Sequence, residues 1–61
     1  MNFNKLAALC KERGITFCKL ERECGIGNGI IGRWKTSAPS ITNLKKVADY
    51  LGVTVDELLK D

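Results

Sequence analysis

Histidine is absent from the 61 residues, which removes the commonest general base and the commonest nitrogen ligand for metals. The three cysteines, Cys10, Cys18 and Cys24, are odd in number and form no CxxC pair. That is a poor zinc site and no disulfide framework, so they read as small hydrophobes filling core positions in a reducing compartment. The glycines of Gly25-Ile26-Gly27-Asn28-Gly29 lack both the preceding strand and the lysine of a phosphate-binding loop. No paired carboxylates suggest a catalytic cleft. The expectation is therefore a non-enzyme without metal, cofactor or small-molecule substrate. Long apolar runs are missing too, so no membrane span is expected. Met1 to Leu20 scatters Lys5, Lys11, Glu12, Arg13 and Lys19 among its apolar residues, unlike a signal peptide, and the expected location is the cytoplasm. Strand signals are also wanting, since no stretch alternates cleanly between apolar and polar residues. A chain this short buries only roughly 60% of its unfolded surface, so residues 1–61 are expected to be one marginally stable domain.

What is present is polarised charge and regular punctuation. Residues 1–46 carry nine Lys or Arg against Glu12, Glu21 and Glu23, a net +6, while residues 47–61 carry Lys60 against Asp49, Asp56, Glu57 and Asp61, a net −3. A basic body with an acidic end suits a polyanion on one face, although solvated surfaces also produce such asymmetry.

A hydrophobic residue, a potential N-cap and an apolar residue four positions into a helix recur four times: Ile15, Thr16, Leu20; Ile26, Gly27, Ile31; Pro39, Ser40, Leu44; Val53, Thr54, Leu58. This is the spacing of the hydrophobic staple, and Thr54 with Glu57 can add a capping box. Gly14, Gly25 and Gly52 stand where helices would end. The spacing predicts helices near 2–13, 17–24, 28–36, 41–51 and 55–60. Apolar stripes run through them: Phe3, Leu6, Ala7 and Cys10; Leu20 and Cys24; Ile31 and Trp34; Ile41, Leu44, Val47, Ala48 and Leu51; Leu58 and Leu59. The fold class is all-α, a compact bundle of five helices.

Residues 17–36 then form two short helices joined at Gly25. With Gly25 as the turn, Leu20, Cys24, Ile26, Ile31 and Trp34 occupy the interior apolar positions of a helix-turn-helix, and the chain resembles the phage-repressor and Cro-like regulators. The resemblance extends over nearly the whole chain, through Gly14-Ile15-Thr16, Arg33-Trp34, Pro39 and the ending Leu51-Gly52-Val53-Thr54-Val55-Asp56-Glu57-Leu58. It implies a lambda-repressor-like fold and sequence-specific binding of double-stranded DNA, with the second helix of the pair in the major groove. Carried over by position, the base-reading set is Asn28, Gly29, Ile30, Gly32 and Arg33. Asn28 suits adenine, Arg33 guanine, and Ile30 a thymine methyl. The phosphate-contacting set is Thr16, Phe17 and Lys19 on the helix ahead, with Lys35, Thr36, Ser37, Asn43 and Lys46 beyond. Phe17 stands where the family often has a phosphate-touching glutamine, and its side chain can donate nothing. Glu21 replaces a small alanine and is expected either to snorkel outward or to pair with a cation such as Arg33. Gly29 and Gly32 imply a soft recognition helix.

A single helix-turn-helix reads few base pairs, so the resemblance also implies a homodimer, formed in solution or only on DNA, with Tyr50, Val55, Leu58 and Leu59 as the candidate contact. The expected role is a small transcriptional regulator, a repressor of phage or mobile-element type. The alternative is a protein-interaction module on the same fold, antitoxin-like or antirepressor-like, for which Glu21, Phe17, Ile30 and Tyr50 would be the exposed contacts.

Overall fold

A computed structural model describes residues 2–60; Met1 and Asp61, the latter counted above with the acidic end, lie outside the described residues. The helices are α1 (Phe3–Glu12), α2 (Phe17–Cys24), α3 (Ile30–Arg33), α4 (Ile41–Leu51) and α5 (Val55–Leu59), with no strand among the described residues. Four of the five starts are made locally. The side chains of Asn2, Thr16, Ser40 and Thr54 accept hydrogen bonds from the amides of Lys5, Lys19, Asn43 and Glu57, three residues on in each case. Each cap satisfies an amide that no carbonyl inside its helix can reach.

Three ends share one closure. After α2, the Gly25 amide donates to the Arg22 carbonyl and the Ile26 amide to the Glu21 carbonyl. Gly14 and Ile15 close α1, and Gly52 and Val53 close α4, in the same crossed pattern. Gly25 has φ 71°, where a side chain would crowd the backbone, so glycine is the residue that lets α2 stop and the chain reverse. Ile15, Ile26 and Val53, the residues after these turns, pack on the core. Ile15 and Val53 also precede the next helix cap, so one side chain both closes a helix and sets the angle of its successor.

The core gathers the predicted stripes: Leu6 and Cys10 from α1, Leu20 from α2, Ile31 and Trp34 from α3 and its end, Leu44, Val47, Ala48 and Leu51 from α4, and Leu58 from α5. Each large aliphatic side chain there contributes on the order of 1.5–3 kcal/mol by leaving water. Helix α2 packs on both α3 and α4, and α4 on α5. Two long-range bonds tie the ends: the Asn2 amide donates to the Leu58 carbonyl (3.3 Å), and the Arg13 guanidinium to the Leu51 carbonyl (2.7 Å), its other terminal nitrogen donating locally to the Leu9 carbonyl (3.3 Å).

Several expectations are corrected. The third helix runs Ile30–Arg33 rather than 28–36, because Gly29 takes φ 78° and cannot continue a helix from Asn28; after Arg33 the chain goes on as turns, with the Thr36 and Ser37 amides on the Arg33 carbonyl. Its cap position is Gly29, not Gly27. Ile41 is 68% exposed, since the buried stripe of α4 begins one turn later at Leu44. Cys18 is exposed and Cys24 half-buried, its thiol donating to the Lys46 carbonyl at 3.7 Å; only Cys10 fills a core position. Leu58 is fully buried within the chain's own core and is withdrawn from the candidate dimer surface.

Candidate nucleic-acid interface

Short as it is, α3 has two sides. At about 100° per residue, Ile31 and Trp34 fall on one side and Gly32 and Arg33 on the other. Ile31 and Trp34 are buried, and Gly32 and Arg33 are exposed. Asn28 and Gly29, in the turn ahead of the helix, are exposed as well, while Ile30 is half-buried against the core. The five candidate base-reading residues thus lie within one turn-and-helix segment, held from beneath by two anchors.

The segment is held most firmly by a residue read differently from the sequence. Glu21 neither snorkels outward nor pairs with Arg33. It is 4% exposed, and its two carboxylate oxygens accept from the amides of Gly29 (Oε1, 3.1 Å) and Ile31 (Oε2, 2.9 Å). A carboxylate at a helix start satisfies the orphan amides there and faces the positive end of the helix dipole. Burial is tolerable because both oxygens are hydrogen-bonded, and no buried side-chain oxygen or nitrogen among the described residues lacks a partner. Glu21 is therefore also removed from the exposed contacts of a partner-binding surface. A signal for it did exist in the sequence. It was only an anomaly, a carboxylate where the resemblance implies a small alanine; the amides that receive it lie at the start of another helix.

Around this segment the phosphate candidates divide into groups. Thr16 and Lys19 are exposed at the start of α2, although the Thr16 oxygen is engaged in capping. Phe17 is half-buried and stands edge-on to Phe3, with ring centroids 5.4 Å apart and planes at 71°. The Lys35 ammonium lies 5.5 Å from the centre of that same Phe3 ring. Phe3, which the sequence marked only as core, thus links the start of α2 to the segment following α3. Such a cation over an aromatic face adds a modest attraction at the surface. Thr36, whose hydroxyl donates to the Arg33 carbonyl at 3.4 Å, and Ser37 are exposed beyond α3. Asn43 is half-buried in the first turn of α4. Lys46 is exposed, but its backbone lies beside Cys24 at the far end of α2, roughly 10 Å of helix from Phe17. The structure does not bring it together with the Phe3, Phe17 and Lys35 group.

Of the other acidic residues, Glu23 is exposed near the end of α2 and Glu12 at the end of α1, while Asp49, Asp56 and Glu57 lie on α4 and α5. Among the described residues there is no pocket and no cluster of three side chains able to hold a metal ion, and no helix is long and apolar enough to cross a membrane. The arrangement is that of an exposed polar ridge on a basic body.

Residues 5–61 match the family model described as a Cro/C1-type HTH DNA-binding domain. No curated protein and no solved structure matched the chain. With α2, the Gly25 turn and α3 arranged as a helix-turn-helix on a five-helix frame, the chain belongs to the Cro/C1-type family of DNA-binding domains, which makes double-stranded DNA its partner and transcription the process it regulates.

Proposed function

We propose that this chain is a sequence-specific repressor of phage or mobile-element type that lays α3 in the major groove and blocks transcription by occupying its operator. One observation carries the reading: Asn28 and Arg33 are exposed on the segment that the buried Ile31 and Trp34 anchor from the other side. Asn28 then pairs with adenine through one acceptor and one donor, and Arg33 grips guanine with two parallel donors, each discriminating by roughly 1–3 kcal/mol. Gly29 and Gly32 present backbone without side chains, which permits close approach to the base edges, and Ile30 offers its remaining exposed surface to a thymine methyl.

Phosphates are held on either side. At the start of α2 the Thr16 hydroxyl and the Lys19 ammonium face one strand, and Phe17 contributes its first-turn amide rather than its ring. Lys35, Thr36, Ser37 and Asn43 serve the other side, with Lys46 at the edge of the footprint. A dimer on paired half-sites supplies the length of sequence that one α3 cannot read. Tyr50 and Leu59, 43% and 45% exposed, are its contact, with half-buried Val55 one turn before Leu59 on α5.

The test is affinity for a duplex selected from a random pool, measured against salt. Binding falls steeply as salt rises. Arg33→Ala flattens the sequence preference, while Lys19→Ala and Lys46→Ala weaken all duplexes alike and each reduce the salt slope by about one. Absence of duplex binding at low salt overturns the reading and leaves the fold as a protein-interaction module.

A further inference from the structure

In this chain α3 is the helix whose cap comes from another helix. The caps of α1, α2, α4 and α5 are side chains three residues from the amides they receive, so each fixes only its own helix start. Gly29, at the start of α3, has no side chain to offer. The two bonds come instead from Glu21 on α2, eight and ten residues away, one to each carboxylate oxygen. Two bonds from one planar group to two amides fix an orientation as well as a distance. They hold the start of α3 against the middle of α2.

Asn28 immediately precedes the first of the two held amides, and Ile30 lies between them. A helix of four residues has too few internal bonds to define its own direction. We infer that Glu21 is the positioning residue for base reading: its buried carboxylate sets where Asn28, Ile30 and Arg33 stand relative to the frame that grips the phosphates. The inference rests on the major-groove reading proposed above. It also assigns the amides of Gly29 and Ile31 to the protein rather than to DNA, so the start of α3 reads bases and leaves phosphate binding to α2, the segment after α3, and α4.

The experiment compares the full chain with Glu21→Gln and Glu21→Ala on two probes, the duplex selected by the wild type and a scrambled duplex of the same composition. Glutamine keeps the shape but turns an N–H towards one of the two amides. Far-UV circular dichroism and thermal melting first establish that each variant is folded. Folded Glu21→Gln is expected to keep its affinity for the scrambled duplex within about twofold, with an unchanged salt slope, while the preference for the selected duplex falls at least tenfold. A folded variant that keeps the preference overturns the inference and leaves the groove reading standing. Parallel loss on both duplexes also overturns it, since that is the signature of a merely structural residue. A wild type with no preference removes the groove reading and the inference together.

Amide exchange in the free wild type tests the two bonds on which the inference stands, even where the variants do not fold. The Gly29 and Ile31 amides, at positions that no helical carbonyl serves, are expected to exchange at least tenfold more slowly than the exposed Asn28 amide. Exchange of all three at the same rate overturns the inference.

Discussion

Replacing Gly32 with alanine separates the stability of α3 from its use. Gly32 does not have positive φ, and a Cβ built there meets no atom within 4 Å. The methyl group therefore enters without strain, and alanine loses less backbone entropy than glycine on becoming helical. The gain for an interior helical position approaches 1 kcal/mol, and in so short a helix about 0.5–1 kcal/mol is expected. For a domain of this size that corresponds to a rise in Tm of about 2–8 °C. On DNA the sign reverses. Gly32 lies on the exposed side of α3 with Arg33, so the methyl group intrudes where backbone would meet base edges, and affinity for the selected duplex falls. The assay is a thermal melt of the free chain beside a titration with that duplex. An unchanged or lower Tm refutes the account of the free helix; an unchanged affinity refutes the placement of Gly32 against the groove. Gly29→Ala is the control, because φ 78° is strained for any side chain and that variant loses stability.

Two further outcomes follow from burial. Leu58→Ala, which empties a fully buried site, is expected to cost about 2–5 kcal/mol and so to unfold most of the chain, whereas Leu59→Ala at its half-exposed neighbour keeps the melting curve and weakens self-association in analytical ultracentrifugation; equal destabilisation by both is the result against it. Among the thiols, Cys18 reacts rapidly with a thiol reagent in the native chain, half-buried Cys24 more slowly, and Cys10 only as the chain unfolds, and three equal rates would contradict this. Burial pushes both the Cys10 and the Cys24 thiols up, against a partial lowering by Arg13 and Lys46 respectively. The unfolded thiols therefore ionise first as pH rises, so the contribution of these groups is intact below about pH 8.5 and is lost above it, seen as a falling Tm in alkaline melts.

The acidic residue at position 21 shows where reading from sequence stops. An interior position of α2 carrying a carboxylate suggested an outward side chain or an ion pair, because the destination of a buried carboxylate lies outside its own helix. Spacing pointed to Gly27 as the cap of α3, four residues before Ile31, and placed Gly29 inside the helix. The choice of Gly29 goes with the two amides that Glu21 receives and with the left-handed turn that aims them. Ile41 belonged to the periodic stripe of α4, yet it stands past the point where the other helices cover that stripe. Leu58 and Leu59 were adjacent candidates for one surface, and packing against α4 and the core divided them.

The sequence by itself determined the all-helical class, the caps Thr16, Ser40 and Thr54, the glycine closures and the anchors Ile31 and Trp34. Those features depend on chemistry within four or five residues, where the chain order already specifies the neighbours. Tertiary structure alone decided how far α3 extends, that Glu21 holds it, that Phe3 links Phe17 to Lys35, and that Arg13 reaches the Leu51 carbonyl 38 residues away. Such partners are chosen by which helices meet in space, and no local spacing records that.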